Sequence, residues 1–163
     1  MRFENENEVL ATVRASAGRR ILGLGALGLL GVLLIYISLF HPPALGWRVF
    51  LLLMGIGALW GADLMRRATA SAVELTPLGL RDADGTVIAP VEEIEAIDRG
   101  FFAFKPSNGF LLKTKAAQPG IWRPGLWWRT GRRIGVGGMT PGYQSKVMAE
   151  IIAAMLLERG SDG

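Results

Sequence analysis

The chain of 163 residues contains no cysteine and a single histidine, His41. The first absence excludes disulfides, thiolate metal sites and a cysteine nucleophile. The second leaves one candidate imidazole base for nucleophilic catalysis, and it lies between two apolar runs, apart from the C-terminal half. Acid is also missing over a long stretch: from Gly100 to Ala149 there is no Asp or Glu, against eight Lys and Arg. G-x-x-x-x-G-K does not occur, and Gly135-Val136-Gly137-Gly138 is glycine-rich but lacks a nucleotide cradle's spacing. No internal repeat and no low-complexity tract is present. Glu92, Glu93, Glu95 and Asp98 are close in sequence, as acid–base pairs or hard-cation ligands are, but they lack the spacing of a calcium loop. The sequence therefore implies no cofactor and no metal, and it points away from an enzyme.

What is present in excess is apolar length. Ile21–Phe40 is twenty residues without a charge. As a helix at about 1.5 Å per residue it reaches about 30 Å, the hydrocarbon thickness of a bilayer. Val49–Met65 is a second such run. The connection between them is short, and Pro42 and Pro43 mark its turn, so the expectation is a two-helix transmembrane hairpin over 21–65. A cleaved signal peptide fits less well, because the apolar core is too long and His41-Pro42-Pro43-Ala44 offers no clear cleavage site. Arg14, Arg19 and Arg20 precede the first run, Arg66 and Arg67 follow the second, and only Arg48 lies between. By the positive-inside rule both termini are expected in the cytoplasm.

Within the spans, Gly57 and Gly61 form a G-x-x-x-G that lets helix backbones approach closely. Packing inside the hairpin is its simplest use; homo-oligomerisation is the other. Asp63 is the one acid in a span, three and four residues before Arg66 and Arg67, which suggests an interfacial ion pair. Residues 1–20 read as a polar cytoplasmic lead, with Val9, Leu10 and Val13 spaced for a short amphipathic helix.

After Ser71 the pattern becomes short β runs separated by turns. Ala83-Asp84-Gly85, Ser107-Asn108-Gly109 and Pro124-Gly125 are the turn signals. Seven or eight strands are expected, with breaks after Lys115 and after Arg129. A closing helix follows: Thr140 suits its N-cap, Pro141 its first turn and Gly160 its end, and Met148, Ile151, Ile152 and Met155 make one apolar face.

Leu75-Thr76, Gly79-Leu80 and Ile88-Ala89-Pro90-Val91-Glu92-Glu93-Ile94-Glu95-Ala96-Ile97 resemble the bacterial pleckstrin-homology (PH)-like domains, which often follow a pair of transmembrane helices. The resemblance implies a mostly β barrel or sandwich of about seven strands closed by a C-terminal helix, over residues 72–160, and a binding or scaffolding role in the bacterial inner membrane. It carries over no site residues.

The basic, aromatic stretch Trp122–Arg133 is the candidate site. Arg123, Arg129, Arg132 and Arg133 with Trp122 and Trp128 suit anionic headgroups, since arginine grips phosphate and tryptophan favours the interface. Trp127 and Trp128, adjacent on a strand, must point to opposite sides. The expected partners are membrane lipids or a membrane or cytoplasmic protein. Nucleic acid is not expected, because membrane attachment separates the domain from it. A small membrane enzyme, or an accessory subunit of a membrane complex using Asp63 or the Glu92–Asp98 acids, is the alternative.

Overall fold

A computed structural model describes residues 7–41, 43–98 and 106–161. The chain divides into two compact units, and the division is not sequential. Ala17–Arg67 is one; the residues before it join those from Ala68 onward in the other.

The first unit is a pair of helices, α1 (Ala17–Phe40) and α2 (Leu45–Ala68). Both are long and apolar enough to cross a membrane. Each extends beyond its uncharged core, so Arg19, Arg20, Arg48, Arg66 and Arg67 all fall inside helices. The close crossing is made by Gly31 and Gly55. A Cβ on Gly31 would come within 2.9 Å of the Gly55 carbonyl oxygen, and one on Gly55 within 2.9 Å of the Gly31 oxygen. This corrects the expectation for Gly57 and Gly61. Gly57 faces open space and Gly61 makes only an ordinary contact, 3.5 Å from Leu27. Gly55 and Gly57 lie about 200° apart around a helix of 3.6 residues per turn, so only one of them can face α1. Asp63 pairs with Arg66 and with Arg67, each at 2.7 Å, as its spacing requires.

The second unit is two antiparallel sheets and a helix. One sheet has the order β1-β2-β3-β4, with β1 Ala11–Arg14, β2 Ala72–Thr76, β3 Gly79–Asp82 and β4 Val87–Pro90. A 3₁₀ turn at Val91–Glu93 leads to the second sheet, β5-β6-β7, formed by Ile94–Asp98, Phe110–Arg123 and Trp127–Val136. The helix α3 (Gly142–Ser161) follows. Val13, Leu75, Ile88, Phe110, Trp127 and Ile152 are core residues, each no more than 2% exposed. The expected apolar face of α3 is seen, with Met148 and Ile152 buried and Ile151 and Met155 packed against the core. Gly160 lies inside the last turn of α3 rather than beyond it.

The strand β1 overturns the reading of residues 1–20 as a detached lead. Thr12 pairs with Glu74 and Arg14 with Ala72, and Val13 is fully buried. Four residues carry too little periodicity to announce a strand, and the partner that makes them one lies sixty positions on. The two apolar helices are therefore inserted between adjacent strands of one sheet. Free edges are covered: the Arg14 amide donates to Gln144 Oε1 of α3 at 3.0 Å, and the Ser16 amide to the Met139 carbonyl at 2.7 Å.

β6 and β7 replace four shorter expected strands. Together they form one long ribbon that curls until its tip meets its base: Gly137 donates to the Leu126 carbonyl and Met139 to that of Gly125, both at 2.9 Å. The bend falls where the pairing slips, between Lys113 and Ile121 on β6 and at Gly131 on β7, whose φ is +57°. Trp127 and Arg129 point inward before the slip, Ile134 and Val136 after it, so the inward parity changes from odd to even across the bulge. β5 ends at Asp98, and residues 99–105 lie outside the described residues.

Candidate functional site

The ribbon distributes the expected site residues over three environments. Trp122 and Trp128 are cross-strand partners; Trp122 is 62% exposed. Trp128 is half-buried, its indole over Gly135, where a Cβ would overlap the ring. Trp127 takes the opposite side, fully buried, and donates its indole N–H to Asp82 Oδ2 at 2.8 Å. Asp82 is itself buried and also accepts from the Ser71 hydroxyl.

Arg123 sits at the ribbon tip and pairs with Asp84 at 2.8 Å. The Asp84 carboxyl is held below its ordinary value by the Thr86 hydroxyl and amide, then by Arg123.

Arg129 is not on the surface. It is 8% exposed, and its guanidinium donates to the carbonyls of Pro119 (2.9 Å), Val87 (3.2 Å) and Ile88 (2.8 Å) and to Gln118 Oε1 (2.9 Å). A headgroup cannot displace four intramolecular acceptors from a buried cation, so Arg129 leaves the candidate site. Its fork of donors instead fastens the edge of β4 to the curled ribbon. Alternation put it there: Arg129 is two residues from buried Trp127 and shares its face.

Arg132 and Arg133 lie past the slip and are exposed. Arg132 donates to the Thr114 carbonyl at 2.8 Å and to Glu95 Oε2 at 2.6 Å. Lys113 donates to the other oxygen of Glu95 at 3.1 Å. Arg133 is the direct cross-strand partner of Lys113, a like-charge opposition that destabilises a ladder unless an anion answers it. Lys115 is exposed on the same side of β6, two residues from Lys113. Lys113 and Arg132 thus share one carboxylate, Glu95, whose pKa is lowered first by the Lys113 hydrogen bond and then by both cations' charge, while Lys115 and Arg133 are exposed beside them. The remaining basic face is therefore at the ribbon's base, not across Trp122–Arg133. Lys113 and Lys115 were legible only as part of the acid-free run; their role needed the β6–β7 register.

The acids proposed for catalysis differ in their surroundings. Glu95 is spent on Lys113 and Arg132, and Glu92 is exposed. Among the described residues no group of three or more Asp, Glu or His is arranged to hold a metal ion. No family model, no curated protein and no solved structure matches the chain.

Proposed function

We propose that the protein is a membrane-anchored binding module, its β domain PH-like, with the basic face of β6 and β7 meeting anionic lipid headgroups. The observation that carries this reading is the pairing of β1 with β2. These strands flank the two apolar helices, so two membrane crossings return the chain to the side it left, and one domain is built from both flanks. The connectors are two residues (Ala15, Ser16) and three (Thr69–Ser71), which favours work at the bilayer surface. The arginine distribution favours the cytoplasmic face of a bacterial inner membrane. Four-plus-three antiparallel strands and a closing helix support the PH-like assignment.

Each basic residue near an anionic leaflet contributes about 1 kcal/mol, so four cations opposed by Glu95 supply on the order of 3 kcal/mol. That is modest for a free ligand but sufficient for a tethered one, where effective concentration is high. Because the chain has no cysteine, Ala117→Cys gives one labelling position beside the face. With the full chain in nanodiscs, an environment-sensitive label there should shift to a less polar signature in phosphatidylglycerol discs but not in phosphatidylcholine discs. The shift should reverse as salt rises, because exposed charges are screened over about 8–10 Å. Lys113→Gln, Arg132→Gln and Arg133→Gln together should remove it. Equal emission in both discs would overturn headgroup binding and leave a protein partner as the reading of the module.

A further inference from the structure

The helix α3 is apolar on more than the face it buries. Met148, Ala149 and Ile152 are buried in the β domain's core, yet Tyr143 is 69% exposed, Val147 48% and Leu157 76%. Tyr143, Val147, Glu150, Ala154 and Leu157 follow one another at steps of four and three residues, and all five are exposed. That is the spacing of a seam made to receive a second helix. A groove of about 230 Å³ runs beside it, walled by Val147, Ile151, Ala154 and Met155 with Glu150 and Glu158 at its margins. A helix with one face on a core ordinarily turns a polar face to water. α3 departs from that pattern along this stripe.

The charge on the stripe says what fits it. Glu150 stands at its centre. In an antiparallel self-pair whose four- and three-residue steps coincide, Tyr143 would meet Ala154 and Glu150 would meet Val147, which covers a carboxylate with an apolar side chain. In a parallel self-pair Glu150 meets itself. Lys146, 4.0 Å from Glu150 and largely exposed, compensates it weakly. A second copy of this chain therefore leaves Glu150 unanswered or repelled at the middle of the seam, and a helix with a basic residue there is favoured. We propose that the outer face of α3 docks an amphipathic helix of another protein, with apolar residues at the same spacing flanking a Lys or Arg that faces Glu150.

The chain itself supplies the probe. Glu150→Lys converts one copy into a partner with the required pattern. Donor- and acceptor-labelled full-length copies, each carrying the label at Ala116→Cys, are mixed in detergent. Energy transfer between wild type and Glu150→Lys should be several-fold higher than for wild type alone or Glu150→Lys alone. Adding Val147→Asp to both copies should abolish the excess, which separates contact through α3 from contact between the apolar helices. A mixture no stronger than both homotypic samples would overturn the proposal. So would wild type alone transferring as strongly as the mixture, since the seam would then accept its own copy. An excess that survives Val147→Asp would place the contact elsewhere and equally refute it.

Discussion

Replacing Arg129 by Met is the sharpest test of how the two sheets are held together. Met matches most of the stem but donates nothing, so the carbonyls of Pro119, Val87 and Ile88 and the Gln118 side chain lose their shared donor. A buried acceptor left unsatisfied costs about 1–3 kcal/mol. These groups lie beside a strand edge where water can reach some of them, so the costs do not simply add. Hydrogen bonds to a charged donor are worth about 1.5–3 kcal/mol each, so with partial compensation by water the net loss should be about 3–5 kcal/mol. For a domain of this size each kcal/mol moves the melting midpoint by about 4–8 °C, so the midpoint should fall by at least roughly 12 °C. Arg129→Lys keeps the charge but not the fork and should fall between the two. Arg133→Gln, on the exposed face, should stay within about 0.5 kcal/mol of wild type. Thermal unfolding of the full chain in mild detergent, followed by tryptophan emission with buried Trp127 as reporter, gives the comparison. If Arg129→Met melts within about 2 °C of wild type, the guanidinium does not join β4 to the ribbon, and its burial needs another account.

Two further outcomes follow from the fold. A fragment beginning at Ala72 lacks β1 and uncovers the face against which Val13 is fully buried, so it should show no cooperative melt. A chain in which a short Gly-Ser loop joins Ser16 to Ala68, replacing the apolar helices, should melt cooperatively; circular dichroism distinguishes the two, and a cooperative Ala72 fragment would make β1 dispensable. The depressed pKa of Asp84 gives an acid limb: its contribution is complete above the ordinary carboxylate value of about 3.9 and is lost as pH falls through the lower folded value. Asp84→Asn should flatten the dependence of the melting midpoint on pH below about pH 4, and an unchanged slope would show that Asp84 does not set it.

Much of the layout was legible because its signals are local. Twenty uncharged residues can be read without a partner, and so can the 3.6-residue spacing of Met148, Ile152 and Met155 on α3 or the Asp63–Arg66–Arg67 ion pairs one turn apart. The opposite orientation of Trp127 and Trp128 follows from strand geometry alone. The rest depended on residues distant in sequence. β1 exists because β2 pairs with it across the whole apolar insertion. The close glycines are Gly31 and Gly55 rather than Gly57 and Gly61 because helix rotation at the crossing is fixed by two surfaces together. Arg129 and Arg133 have the same chemistry and lie four residues apart on one strand. The slip at Gly131, a feature of pairing rather than composition, turns the first inward against carbonyls and leaves the second outside opposite Lys113. The sequence by itself determined where the apolar helices lie and that a β domain accompanies them. Only the tertiary structure decided which cations that domain presents and which it spends on holding itself together, because a side chain's direction depends on register and register on a distant strand.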